Sequence, residues 1–532
     1  MQRRDFLKLS AMAAAGGHMQ MQAQSKSQRP NIILFVADQR TFGLSKATGY
    51  PLDTSPTLDR LQQQGIGFER NYCTMPLCVP SRISMLTGRW GNAHRVRNNL
   101  MTSEAYFEKD IYQVAHDQGY TTALCGKNHT YLRKDHVDFW REYTHTGGPH
   151  TNNAQHAAFD QYLQDTHYNV MDKPTPFPVE AQLPYRIVSD AIEFIDNAGN
   201  QPFFAQVSVP EPHNPEQVPA PYWNMFPPES IPERCAGPDK LKDTSFRMQW
   251  EYRMQQDASP QTEPLWRRYL SNYMGMLRLI DDQIQRLLNH VETRSLRDNT
   301  LFLFTSDHGD ALMNFGLGHK GADLRETVTH TPLIFNGYGV RHSDKVQQSF
   351  TSMADIMPTL CEVMGADIPH GVQGRSLWPL LQGEPYPAEE FRSIYSSVGL
   401  GGLYYTEEDN VPYNIAEDPK GAAFDELNKV TLSGNQKMVR MGDWKLVFDM
   451  MGYGQLYNLK SDPCELHNLF NQPAHAKEQA ALMAELMMWV MRTEDSLPTG
   501  PQNRKYQTKW STKHNWYAPY RKSGPPPAAY QP

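Results

Sequence analysis

The sequence predicts an α/β protein in which a large mixed, mostly parallel sheet is sandwiched by helices, followed by a smaller C-terminal α+β subdomain. Three observations carry this. Short, continuous apolar runs recur through the first part of the chain, the form taken by strands buried on both faces. Helix-like segments separate them, the longest with apolar residues in steps of three and four from Leu265 to Leu287. After about residue 385 the composition shifts to short strand-like runs and a Leu- and Met-rich helix. The 532 residues suffice for several domains of about 100–200 residues and a large core. With 51 basic against 58 acidic side chains, the net charge of −7 offers no footprint for nucleic acid. Six cysteines are too sparse for a disulfide framework, and none forms a CxxC zinc pattern.

Taken in order, residues 1–25 read as a signal peptide of twin-arginine type. Arg3-Arg4-Asp5-Phe6-Leu7-Lys8 precedes a weakly apolar stretch, Leu9 to Gly17, and then a polar Met/Gln/Ala region. The mature chain is expected to begin between Ala23 and Arg29. Its expected location is periplasmic or extracellular in a bacterium, reached through the twin-arginine machinery. Beyond this segment no apolar run approaches the roughly 20 residues that span a bilayer, so no transmembrane helix is expected in the mature chain. The large domain is expected over residues 29–385 and the α+β subdomain over 386–495. A Pro/Tyr-rich tail or wrapping arm follows over 496–532.

Within the large domain, Ile32 to Ala37, Thr122 to Cys125, Phe203 to Val209, Leu301 to Phe304 and Pro332 to Phe335 read as buried strands. Pro264 to Val291 reads as one long amphipathic helix. Pro210 to about Pro260, rich in Pro, Trp and Met, reads as a long excursion or lid-like insertion. In the subdomain, Lys437 to Val447 and Gly454 to Leu459 look like short strands, and Ala476 to Arg492 like a helix.

Polar residues gather where these strands stop. The runs end in Asp38-Gln39, in Gly126-Lys127-Asn128-His129, in Pro210-Glu211-Pro212-His213 and in Asp307-His308-Gly309-Asp310. In an open α/β sheet, ligands bind beyond the carboxyl ends of the strands, so parallel neighbours would bring all four groups to one edge. Asp38, Gln39, Asp307 and His308 supply mostly oxygen donors and one imidazole, a set for calcium, magnesium or manganese rather than structural zinc. Cys78 to Arg89 reads as a short helix with Pro80 in its first turn and Gly88 as its C-terminal cap. Its N-terminus favours an anion, and Arg82 lies one turn on from Cys78. By chemistry alone Cys78 is either a nucleophile above an anion site or a small buried cysteine.

Cys78-x-Pro80-Ser81-Arg82 followed by Leu86-Thr87-Gly88-Arg89 resembles the signature of type I sulfatases, the formylglycine-dependent members of the alkaline phosphatase-like superfamily. The resemblance extends in order through Arg29–Asp38, Gly126-Lys127-x-His129, Pro212-His213-x-Pro215, Ser306–Gly309, His319-Lys320-Gly321 and Leu456–Leu469, covering about residues 29 to 495. It implies the alkaline phosphatase-like fold and oxidation of Cys78 to formylglycine by a formylglycine-generating enzyme. It also implies a metal, calcium by family habit, near Asp38, Gln39, Asp307, His308 and residue 78. The hydrated aldehyde would attack sulfur, with Arg82, Lys127 and Lys320 neutralising charge. His213 would serve the leaving oxygen, and His129 would take the proton that lets sulfate depart. The substrate implied is an O-sulfate ester, with a sulfated carbohydrate expected for an exported enzyme.

Two departures stand out. The family often has Asp-Asp and Asp-Asn at its metal strands, where this chain has Asp38-Gln39 and Asp307-His308. That change makes manganese thinkable. It also resembles the formylglycine-dependent phosphonate monoester hydrolases and phosphodiesterases, the alternative function. The segment after Lys320 keeps Glu326 but lacks the usual tyrosine. Arg89, His94, Arg95 and Arg97 form a basic cluster, read either as a hold for an acidic sugar or second sulfate, or as a solvated helix end.

Overall fold

A computed structural model of the chain describes residues 29–497 and 513–517, apart from residues 100, 149–152, 167–168, 322 and 402–433. The twin-arginine-type segment, most of the tail and Ala322 lie outside the described residues.

A seven-stranded sheet forms the centre. Its strands are β1 (Asn31–Ala37), β2 (Ile66–Phe68), β4 (Thr121–Lys127), β5 (Phe139–Tyr143), β6 (Phe203–Val209), β7 (Thr300–Ser306) and β8 (Leu333–Gly337). The short β3 (Arg70–Tyr72) pairs instead with β9 (Phe350–Ser352) beside it. The central order is β2-β8-β7-β1-β6-β4-β5. The five strands from β7 to β5 run parallel, whereas β8 lies antiparallel to both β7 and β2. Alternate side chains of β1 separate two cores, as the period of two in a strand requires. Ile32, Leu34 and Val36 face the layer containing Ile111 and Leu360. Ile33, Phe35 and Ala37 face the layer containing Ile187 and Ile284.

The helices are α1 (Pro56–Gln64), α2 (Cys78–Thr87), α3 (Ile111–Asp117), α4 (Ala154–Thr166), α5 (Leu183–Asn197), α6 (Phe246–Ala258), α7 (Trp266–Thr293), α8 (Ile356–Met364) and α9 (Ala476–Thr493). Helix α2 has the expected bounds. It begins at Cys78 and stops at Gly88, which adopts φ 66° and donates its N–H to the Ser84 carbonyl.

The C-terminal subdomain is a four-stranded antiparallel sheet of β10 (Ser393–Val398), β11 (Gln436–Met441), β12 (Trp444–Asp449) and β13 (Gly454–Asn458), with α9 packed on it. The stretch Lys437 to Val447, read as one strand, is a hairpin: Gly442 takes φ 60° and turns the chain between β11 and β12. Of the described tail, Asn515 and Trp516 are buried. Asn515 donates to the carbonyls of Val372 and Gly374, and Trp516 to that of Ser376.

Composition gave no sign of one covalent link, a disulfide between Cys235 and Cys464 across 229 residues. With the buried Arg247–Asp449 ion pair of 2.6 Å, it fastens the 210–260 excursion to the C-terminal sheet. The excursion is thus tied down, not a free lid. In the chain-entropy account, so long a loop is worth at most about 5 kcal/mol. Reduction, or Cys235→Ser, is therefore expected to lower the unfolding free energy by about 2–5 kcal/mol, read as a lower urea midpoint at unchanged m. A midpoint indifferent to reductant would show that the link does not stabilise the fold.

Candidate active site

Because β7, β1, β6, β4 and β5 are parallel neighbours, their carboxyl ends open at one edge. Register pairs Ala37 with Ser306 and with Val209, so Asp38, Asp307 and the Glu211–His213 segment leave the sheet side by side. Gly126 pairs with Ser208, and a Cβ on Gly126 would fall 1.9 Å from the Ser208 carbonyl oxygen. Glycine there lets β4 close onto β6 and deliver Lys127. Gln39 and His129 stand just past their strands at φ 66° and 44°. Such left-handed backbone in non-glycine residues is costly and collects at functional sites.

Cys78, at the start of α2, is buried among these strand ends. Its Sγ is 3.3 Å from His308 Nε2, 3.5 Å from Lys127 Nζ and 3.7 Å from Asp38 Oδ1. Donor atoms of Asp38, Cys78, Asp307 and His308 all lie within 4.8 Å of one another. Arg82, fully buried one turn along, donates Nε to Asp307 Oδ2 at 2.8 Å and Nη2 to Asp38 Oδ2 at 3.2 Å. Its Nη1 donates to Ser208 Oγ at 2.7 Å. Lys127 also bonds Asp38 Oδ2. Burial alone would push the Asp38 carboxyl up, but Lys127, His213, Arg82 and His308 together hold it well below the usual carboxylate range. Burial, with the Asp38 charge next, pushes the Cys78 thiol up to about 12. An unmodified Cys78 is thus a protonated thiol and a poor nucleophile.

Gln39 is held from three sides. Its Nε2 donates to Asp310 Oδ2 at 2.7 Å, its Oε1 accepts from Lys320 Nζ at 3.0 Å, and its carbonyl accepts from Tyr273 at 2.6 Å. Tyr269, one turn earlier on α7, donates to Asp310 Oδ2 at 2.6 Å. The long amphipathic helix therefore braces the site as well as the core. His308 donates Nδ1–H to the Gly309 carbonyl at 2.9 Å, which turns Nε2 toward Cys78.

Three imidazoles form the other side. His213 donates Nδ1–H to the Asn214 carbonyl at 3.1 Å and stacks on His145 with centroids 3.9 Å apart. His129 meets His145 edge-on at 5.4 Å. Burial first, and then neighbouring cations and rings, holds all three well below the usual imidazole range. Every residue singled out for the site (Asp38, Gln39, Cys78, Arg82, Lys127, His129, His213, Asp307, His308 and Lys320) belongs to this one edge. His145 was not singled out; Asp310 was noted only as part of a polar strand end and Tyr269 only as an apolar position of the long helix. His145 follows a strand of mixed polarity, Phe139–Tyr143, that presents no apolar run.

The basic cluster makes other contacts. Arg89 follows the Gly88 cap of α2, whose ten residues put that end of the helix about 14 Å from Cys78 at 1.5 Å per residue. There Arg89 donates to the carbonyls of Ala93 and Leu497, and Arg97 to that of Gly399. His94 is buried against Ser84, and Arg95 sits over Tyr106. Arg89 and His94 are thus buried in the fold, whereas Arg95 stays exposed.

Comparison with known proteins agrees with this geometry. The chain is 25% identical over 511 residues to the multifunctional alkaline phosphatase superfamily protein PehA of Trinickia caryophylli, covering 88% of this chain and 96% of that protein. It is 25% identical over 546 residues to the N-acetylglucosamine-6-O-sulfatase of Bacteroides thetaiotaomicron, covering 89% and 88%. The phosphonate monoester hydrolase of Agrobacterium radiobacter shares the fold with a TM-score of 0.71, at 21% identity over 87% of this chain and 96% of that one. The model of the Sulfatase family matches residues 30–366, more than half of the chain. With its strand-edge site and alkaline phosphatase-like fold, this chain belongs to the sulfatase family, the hydrolases of sulfate esters.

Proposed function

We propose that this enzyme hydrolyses the O-sulfate esters of a sulfated carbohydrate, using a formylglycine made from Cys78 and a divalent cation held by Asp38, Gln39, Asp307 and His308. The observation that carries this reading is the buried Cys78, surrounded within 3.7 Å by Asp38, Lys127 and His308. Two carboxylates, an imidazole nitrogen and residue 78 lie together and fit a hard or borderline cation, with the Gln39 amide oxygen, here accepting from Lys320, as the further donor the reading assigns. Calcium fits it, as do manganese and magnesium. When bound, the cation supplies Lewis-acid charge neutralisation, and the modified residue 78 supplies a hydroxyl nucleophile that a thiol at this pKa does not.

The chain's own side chains do the rest. Arg82 and Lys127 hold Asp38 ionised, and with Lys320 they present positive charge to the sulfuryl oxygens, an electrostatic contribution made without reorganisation. His129, neutral because burial and Lys127 disfavour its cation, is suited to accept a proton. His213 keeps its Nδ1–H on Asn214, so it serves the leaving oxygen through Nε2, as a donor once an anionic ester beside it favours imidazolium. A carbohydrate substrate is supported by the named activity of the Bacteroides relative. Export in a folded, oxidising-compartment form is supported by the twin-arginine-type N-terminus and by the Cys235–Cys464 disulfide.

One observation favours a second reading, a phosphonate monoester or phosphodiester hydrolase with the same nucleophile: Gln39 and His308 occupy the metal strands where the family often has Asp and Asn. Parallel assays with an aryl sulfate and an aryl phosphonate separate the two. Higher kcat/KM on the sulfate is expected, and a preference for the phosphonate makes the second reading the right one.

Three further outcomes follow from the site. After co-expression with a formylglycine-generating enzyme, the tryptic peptide Asn71 to Arg82 should carry an aldehyde in place of the Cys78 thiol by mass spectrometry. A persistent thiol in active enzyme excludes the proposed nucleophile. Chelation should abolish turnover, with about one equivalent of divalent metal lost by elemental analysis. Full activity in metal-free protein would refute the cation's role. Arg82→Met leaves two buried carboxylates facing each other and is expected to destabilise metal-free protein by about 3–5 kcal/mol in urea. An unchanged midpoint would rule out that electrostatic account.

A further inference from the structure

His145 lies two residues beyond β5, at the same edge as the rest of the site. β4 and β5 pair Lys127 with Tyr143, so the sheet register itself brings His145 close to Lys127. A tight turn holds it there: Thr144 donates both its N–H and its Oγ1–H to the Gly147 carbonyl, at 2.7 and 2.9 Å, and Gly147 takes φ 111°. His145 Nε2 then lies 2.8 Å from Lys127 Nζ.

The direction of that hydrogen bond follows from the groups. An ammonium has three N–H donors and no acceptor, so the lone pair belongs to the imidazole. His145 is therefore a neutral ring that accepts at Nε2 and carries its proton on Nδ1, an atom with no hydrogen-bond partner among the described residues. The other two Lys127 donors point to Asp38 Oδ2 and Cys78 Sγ. Three donors thus meet three acceptors, and the ammonium is held as a tripod. Two of its feet are groups of the reacting centre. The third, His145, stands outside the donor set and fixes the rotation of the ammonium about its last carbon bond.

We propose that His145 is a positioning residue that aims Lys127 at Asp38 and residue 78, where the transferring group is bound. The proposal rests on the sulfatase reading only in taking Lys127 to face that group. Its geometric part concerns the protein without substrate. The ring stack of His145 on His213 is a separate contact, and the variants are chosen to set it apart.

Two measurements test this. In the unsubstituted full chain labelled with nitrogen-15 histidine, the His145 signal, assigned by its loss in His145→Gln, should show a neutral ring protonated at Nδ1. A proton on Nε2 overturns the proposal whatever the enzyme's substrate is. In kinetics on an aryl sulfate, His145→Phe keeps a ring against His213 but offers no acceptor, and kcat is expected to fall about 10- to 100-fold, the usual cost of losing such a supporting partner. His145→Gln restores an acceptor without a ring and should stay within about threefold of the parent. Equal losses in both variants, or a phenylalanine variant that keeps full kcat, overturn it. Thermal melts of both variants establish that each is folded before its rate is read. If the phenylalanine variant does not fold, the tautomer and the glutamine rescue against His145→Ala decide the matter.

Discussion

Everything at the site depends on how two carboxylates survive next to each other in a dry interior. β1 and β7 are adjacent and parallel, so their ends deliver Asp38 and Asp307 to neighbouring positions, both fully buried. Two like charges 4 Å apart repel by about 4 kcal/mol even at an effective dielectric of about 20. Arg82 resolves this by donating to both, and Lys127 adds a second cation on Asp38. The helix that supplies Arg82 is the one that starts at Cys78, so the solution to the charge problem also sets the position of the proposed nucleophile. Counting Asp38, Asp307 and Asp310 against Arg82, Lys127 and Lys320, the formal charge of the site is balanced before any cation binds and would be positive with one, within a chain of net charge −7. Local arrangement, not global charge, makes the site receptive to an anionic ester.

The C-terminal sheet takes part in this arrangement from a distance. Glu326, six residues after Lys320, accepts from Tyr72 of β3 at 2.7 Å and from Arg440 of β11 at 2.8 Å. Lys445 of β12 bridges Glu326 and Glu465 at 3.0 and 2.8 Å. Next to Glu465, Cys464 makes the disulfide that secures the excursion downstream of His213. One turn of the subdomain therefore holds two segments that follow the site in sequence, at Glu326 after Lys320 and at Cys235 in the excursion after His213. Removing one partner from a buried ionic network leaves the others uncompensated, so the subdomain and the edge are coupled in stability.

Much of this was legible in the sequence, for reasons that can be named. β1, β6 and β7 are buried on both faces, which forces continuous apolar runs, and a run that stops abruptly at Asp38 or Asp307 marks a strand end. Helix α2 carried its own punctuation in Pro80 and Gly88. What escaped notice lacks such local marks. β5 is an edge strand in which Phe139 to Glu142 are only partly buried and Tyr143 alone is buried, so its pattern is mixed and His145 behind it drew no attention. The Cys235–Cys464 pairing depends on tertiary proximity across 229 residues. Arg89, His94, Arg95 and Arg97 looked like a patch because sequence shows charge, whereas their engagement with Leu497, Gly399, Ser84 and Tyr106 is a matter of packing.

Gln39 is the residue on which the substrate question turns, and its neighbours explain why it is an amide. Asp310 Oδ2 lies 2.7 Å from Gln39 Nε2, and Tyr269 donates to the same oxygen. A carboxylate at position 39 would set two acidic oxygens against each other, in a place where burial already pushes the Asp310 carboxyl up to about 6. The amide removes that conflict by donating to Asp310 while presenting Oε1 on the side of Lys320. Glutamine at 39 and aspartate at 310 are thus one coupled choice. Its consequence is a donor set with one negative charge fewer than an Asp-Asp pair at that strand end would provide. A divalent cation held there would keep more of its charge uncompensated, and the Lewis-acid polarisation it would supply to a bound ester would be stronger.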